Sequence, residues 1–137
     1  MILTLLACAT VTLTIPKPIP SDTDRILDAI ALTENWDGKT VGKAGEWGPW
    51  QMTPANWRRY SPHIPIRHAN KAQLRQVARE HLAYLVGRLR GYGIETPSVW
   101  MLGLAWAAGP FKASKYTGRP EKIDYANRVE ALYDDRK

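Results

Sequence analysis

Apolar positions recur at helical spacing along most of the chain, and punctuation residues divide them into segments. Ile26, Leu27, Ile30 and Ala31 fall on one face of a first helix. Ser21, with Asp24 three residues on, supplies its start: a hydroxyl for a free amide and an acid for the positive end of the helix. Gly38, Gly42, Gly45 and Gly48 then end the helix in a loop or small hairpin, with a minimal strand pair expected near 39–52. Thr53-Pro54 is a cap followed by proline, opening a short helix to about Tyr60 that Pro62 and Pro65 break. Asn70 starts the longest helix. Leu74, Val77, His81, Leu82, Leu85 and Leu89 form its apolar stripe, Lys71, Arg75 and Arg79 form a basic row, and Gly91 and Gly93 stop it. Thr96-Pro97 repeats the cap-plus-proline signal. Val99 to Ala108 is nearly all apolar, as a central buried helix requires. Gly109-Pro110 closes it, a turn is expected from Phe111 to Gly118, and Pro120 opens a last helix with Ile123, Ala126, Val129, Leu132 and Tyr133 inward. The pattern predicts a mainly α domain over residues 21–137.

Residues 1–20 do not fit this scheme. Met1 to Ile15 is apolar, Thr-rich and uncharged, and Pro16, Pro18 and Pro20 forbid a helix after it. The segment reads as an export signal or membrane anchor followed by a Pro-rich spacer, and Leu5-Leu6-Ala7-Cys8 looks like a lipoprotein cleavage box.

Composition narrows the class. Apolar residues at 45% and charged residues at 23% match ordinary globular usage, which argues against a disordered chain. A single cysteine, Cys8, rules out an intramolecular disulfide framework. The net charge of +6 is concentrated: eight basic residues and one acid lie between Ala55 and Tyr92, so that stretch carries +7 and the remainder −1. Such a stretch is either a solvated helix face or a surface that concentrates a polyanion.

The candidate chemistry is sparse. His63, His68 and His81 lack ligand spacing, so neither a metal nor any other cofactor is expected, and His81 reads as a core histidine. No nucleophile elbow or phosphate-cradling glycine motif is present. Glu34 stands out. It follows Ile26 and Ile30 on the apolar face of the first helix, at the end where the helix dipole disfavours negative charge. Both burial and the dipole raise a carboxyl pKa, which is what a general acid needs. The alternatives are a glutamate turned to solvent or paired with an arginine of the basic helix.

The residues after Glu34 add a resemblance. Ala31-Leu32-Thr33-Glu34-Asn35 leads into Gly45-Glu46-Trp47-Gly48-Pro49-Trp50-Gln51-Met52-Thr53-Pro54. This is similar to the soluble-type lytic transglycosylases of the lysozyme-like superfamily, in which a helix ending in the catalytic Glu precedes G-x-x-G-x-x-Q-[IM]-x-P. Gln51 lies seventeen residues after Glu34, an interval typical of the family. Ala105-Trp106-Ala107-Ala108-Gly109-Pro110 stands where the family has A-Y-N-A-G-P. Tyr125, Ala126, Val129 and Tyr133 match its closing Y-[VA]-x-x-V-x-x-x-Y block. The three blocks come in the family's order and cover residues 22–135. Asn35 replaces the usual Ser after the catalytic Glu, and Ala107 and Trp106 replace the usual Asn and Tyr.

The resemblance implies a lysozyme-like, goose-type helical domain that cleaves the bond between N-acetylmuramic acid and N-acetylglucosamine in peptidoglycan. Glu34 would be its single acid and base, and the products would be 1,6-anhydro ends. Asn35, Gly48, Trp50, Gln51, Met52, Trp106, Ala107, Tyr116 and Tyr125 would contact the glycan, and Trp47 is a further stacking candidate. Trp57 and Trp100 are assigned to the core. The partners implied are glycan strands and acidic wall polymers, not nucleic acid. The protein is expected to be an exported monomer acting in the cell envelope, whether bacterial or phage-encoded. Two rival readings stand beside this one. A muramidase would hydrolyse the same bond and want a second carboxylate, for which Asp37 and Glu46 are nearest. A wall-binding protein of the same fold, weak in catalysis, is what the loss of the Asn at Ala107 permits.

Overall fold

Capping chemistry sets the helix boundaries. In the computed structural model, which describes residues 22–136, Asn70 and Gln73 form a reciprocal capping box: each side chain accepts from the other's backbone N–H, at 2.8 and 2.9 Å. This opens α3 (Lys71–Gly91). The Thr53 hydroxyl accepts from the Asn56 N–H and opens α2 (Pro54–Tyr60), with Pro54 in the first turn. Ser98, not Thr96, caps α4 (Val99–Ala108): its hydroxyl accepts from the Met101 N–H at 3.1 Å. Pro97 therefore lies before the cap rather than inside the helix.

The remaining helices are α1 (Thr23–Glu34), α5 (Pro110–Ser114) and α6 (Pro120–Asp134), and a single 3₁₀ turn spans Ile66–His68. The cap of α1 is Asp22, whose side chain caps no backbone N–H and instead accepts from the Tyr133 hydroxyl of α6; Ser21 and the expected export or anchor segment lie outside the described residues. Two expectations need correction. The stretch after Gly109 is not all turn, because Pro110 opens the five-residue α5. Near 39–52 there is no strand among the described residues, only an isolated antiparallel bridge between Trp47 and Met52. The four glycines between 38 and 48 leave too few side chains to support a ladder. The fold is mainly α, as the pattern predicts.

The apolar stripe of α3 is buried from Leu74 to Leu89, and α4 is buried over Met101–Ala105 between α6, α5 and α3. Burial of these side chains is the main source of stability, roughly 1.5–3 kcal/mol for each large one. Trp57 is in this core, but Trp100 is only half-buried, and its indole N–H donates to Asn127 near the surface. The basic row of α3 is not a free solvated face. Arg75 pairs with Asp24 at 3.0 Å and Asp28 at 2.7 Å, and Arg79 pairs with Asp24 at 2.7 Å, so both tie α3 to α1. Among the described residues no helix is long and apolar enough to cross a membrane.

Candidate active site

The end of α1, the loop before α2 and the C-terminal half of the chain meet at one cavity of about 300 Å³. The loop folds back through a tight turn at 48–51. Trp47 and Met52 exchange backbone hydrogen bonds at 3.0 and 3.1 Å, and the Gln51 N–H donates to the Gly48 carbonyl. Gly48 takes φ +83°, and a Cβ there would lie 3.3 Å from Leu74 of α3, so both the turn and the packing call for glycine. Trp50 anchors the turn. Its ring is buried and its indole N–H donates to the Leu27 carbonyl of α1 at 2.9 Å. The Trp106 indole N–H of α4 reaches the Trp50 carbonyl at 3.3 Å. The loop is thus held to α1 and α4, two of the helices that border the cavity.

Glu34 lines this cavity with its carboxyl largely withdrawn from water. The Tyr125 phenol of α6 donates to Glu34 Oε1 at 2.7 Å. Burial pushes the Glu34 carboxyl above the ordinary range, and the nearby Glu46 carboxylate pushes the same way. The Tyr125 hydrogen bond and the charges of Lys122 and Arg128 oppose this, but the net direction is upward. Tyr125 is itself buried. Burial, and then the charge of Glu34, hold its phenol well above its usual value, so it remains a proton donor in this pair.

Of the residues the sequence reading named, Glu34, Gln51, Met52, Trp106, Ala107 and Tyr125 line the cavity together. Four do not. Asn35 is exposed at φ 47°, in the left-handed conformation that ends α1. Gly48 and Trp50 are buried behind the turn and act as its support. Tyr116 is 64% exposed and stacks on Trp100 at 6.2 Å, outside the cavity. Trp47 meets Trp36 edge-on at 4.8 Å and is likewise outside it. The two carboxylates considered as second groups separate cleanly. Glu46 lines the cavity and accepts from the Ala44 N–H at 2.8 Å. Asp37 is exposed and organises its own loop. Its carboxylate accepts from the Thr40 hydroxyl and from the N–H groups of Thr40 and Lys39, which brings its pKa down to about 2.

Asn56, Lys122 and His81, with Gly42 and Thr53, complete the wall. His81 is buried on the α3 stripe, as expected of a core histidine, yet one edge borders the cavity. Its Nδ1 shares a hydrogen bond with the Tyr60 hydroxyl at 3.0 Å, and its ring meets Trp106 edge-on at 5.0 Å. Burial, then the charge of Arg59, lowers its pKa to about 4, so it is neutral at neutral pH. Lys122 and Asn56 carried no signal of their own. Lys122 could have been found from Tyr125, one helical turn further along the same face.

The arrangement provides one protonatable acid, a phenol that orients it, a second carboxylate, and the Trp106 ring in a partly dry space. Comparison of the chain with known protein families, curated proteins and solved structures found no match.

Proposed function

We propose that the protein is a lysozyme-like lytic transglycosylase that cleaves the N-acetylmuramic acid–N-acetylglucosamine bond of peptidoglycan. The observation that carries this reading is Glu34, a carboxyl with a raised pKa, lining a cavity and oriented by the Tyr125 phenol. A carboxylic acid that keeps its proton to a higher pH than an ordinary carboxyl is better placed to protonate a glycosidic oxygen. Tyr125 occupies Oε1, which leaves Oε2 to carry the exchanged proton. As the bond to the leaving sugar breaks, the N-acetyl oxygen of the substrate stabilises the positive charge at C1. The Glu34 carboxylate then takes the proton of the C6 hydroxyl, and O6 bonds to C1, closing the anhydro ring. One group serves both steps, so no second carboxylate is required. Action in the cell envelope follows from the substrate.

Glu46 favours a second reading, a muramidase, because its carboxylate lines the same cavity and its charge is felt at Glu34. It could hold a water that attacks C1 in place of O6. Digestion of purified peptidoglycan with mass analysis of the products separates the two readings, since anhydro ends mark the transglycosylase and reducing ends the hydrolase. Glu34→Gln keeps the shape of the side chain but has no proton to deliver, and we expect turnover to fall by at least about a hundredfold. Substantial residual lysis by that variant would remove Glu34 from the mechanism.

A further inference from the structure

We infer that the cleft continues past Trp106 into an arm that binds a carboxylate of the peptide stem carried by the glycan, with Arg59 as its receptor. Asn56, His81 and Trp106 line both the Glu34 cavity and a second cavity of about 250 Å³, so the two spaces adjoin along one wall. The far side of the second space is formed by Arg59 of α2, Tyr84 of α3 and the Gly109–Pro110 corner. Arg59 is exposed, and its guanidinium stands 4.4 Å above the Tyr84 ring. Among the described residues it enters no ion pair, and Glu80, the acid of that helix face, is instead held by Gln76 at 2.9 Å. No acidic side chain among the described residues lines the arm.

The positive field of Arg59 reaches into the shared wall, where it acts on His81, and across Tyr84 toward Arg88. The guanidinium lies within reach of the Tyr84 and Tyr60 hydroxyls, and with no carboxylate paired to it among the described residues the remaining N–H donors face a carboxylate ligand, while the aromatic walls suit the short peptide that carries it. The inference rests on reading the Glu34 cavity as a peptidoglycan site, where a peptide bearing free carboxylates hangs from the muramic acid beside the scissile bond.

The test compares glycan strands that keep their peptide stems with strands stripped of them by an amidase. Each is digested by the full chain and by Arg59→Gln, Arg59→Lys and Lys115→Gln; Lys115 is a cation outside both cavities. The readout is the ratio of kcat/KM on the two substrates. Wild-type protein should prefer stem-bearing strands. Arg59→Gln should reduce that preference about tenfold, Arg59→Lys should reduce it less, and Lys115→Gln should leave it unchanged. An undiminished preference in Arg59→Gln overturns the arm. A second readout holds even if neither substrate is cleaved, an outcome that would sink the catalytic reading alone. Glu34→Gln protein is titrated with a disaccharide-peptide and with the stripped disaccharide, followed by tryptophan fluorescence. Tighter binding of the disaccharide-peptide, lost when Arg59→Gln is added, supports the arm, and equal binding of the two ligands overturns it.

Discussion

At the scale of single residues, the burial that raises the Glu34 pKa also makes the residue a cost to the fold. A carboxyl whose pKa is higher folded than unfolded contributes most below the ordinary carboxylate range, and that contribution is lost as pH rises. Glu34→Gln should therefore stabilise the protein near pH 7 by about 0.5 kcal/mol, or ~2 °C in melting temperature, with no gain near pH 3. A melting series across that range checks both the sign and the convergence. Tyr125→Phe removes a hydrogen bond that favours the ionised form, so the alkaline limb of the pH–rate profile should move to higher pH. His81 carries the opposite sign to Glu34. It stays neutral in the fold down to about 4, while the unfolded residue takes its proton near ~6.5. Its contribution is complete above ~6.5 and is lost as pH falls toward about 4, on the order of 3 kcal/mol. The stability difference between wild type and His81→Gln should shrink across that window, and a constant difference would reject the assignment. Glu34 was legible because i, i+4, i+8 spacing places it on a buried face. Tyr125, its partner ninety-one positions later, could be named only through the family-like block, because local periodicity says nothing about which distant side chain fills a pocket.

Among the elements, the tightest seam is where α4 crosses α6. A Cβ on Gly103 would lie 3.1 Å from Val129 Cβ and 3.3 Å from Ala126 Cα. Two of its three nearest atoms thus belong to the backbone or the first side-chain carbon of α6, which cannot move without the helix. Gly103→Ala gains up to ~1 kcal/mol of helix propensity but forces an overpacking cost of about 1–3 kcal/mol, so a net loss of roughly 1 kcal/mol is expected in denaturant titration. An unchanged midpoint would mean that α6 yields. The helices were readable where polar caps meet apolar stripes: α3 and α4 span Lys71–Gly91 and Val99–Ala108, the intervals their patterns predict. Their caps were less certain where two candidates stood close together. Thr96 and Ser98 both carry hydroxyls, and only the backbone path shows that Ser98 is placed to accept from Met101. The role of the basic row was not legible either, because Asp24 and Asp28 lie about fifty residues upstream and meet it only after α1 and α3 pack.

For the molecule as a whole, that pairing decides where its positive field can act. The net charge is +6, and the stretch from Ala55 to Tyr92 carries +7, but Arg75 and Arg79 in that stretch are committed to α1. Arg58 on α2 and Arg67 in the 3₁₀ turn are exposed, and neither enters an ion pair among the described residues. Both belong to the segment that follows the cavity loop, with Arg67 5.9 Å from the Trp47 ring. If an anionic wall is drawn to the protein, these two cations should contribute more than the row on α3. Wall binding should weaken as salt rises from ~0.1 to ~0.5 M, because the screening length falls from ~10 to ~4–5 Å. Arg58→Gln with Arg67→Gln should flatten that dependence with little change in melting temperature. Arg75→Gln with Arg79→Gln should do the reverse. It should keep most of the salt slope but lose the helix–helix ion pairs, at roughly 0.2–1 kcal/mol each. Sedimentation of each variant with purified wall across a salt series, beside its thermal melt, distinguishes the two. A flattened slope in the α3 pair alone would return substrate capture to the basic row.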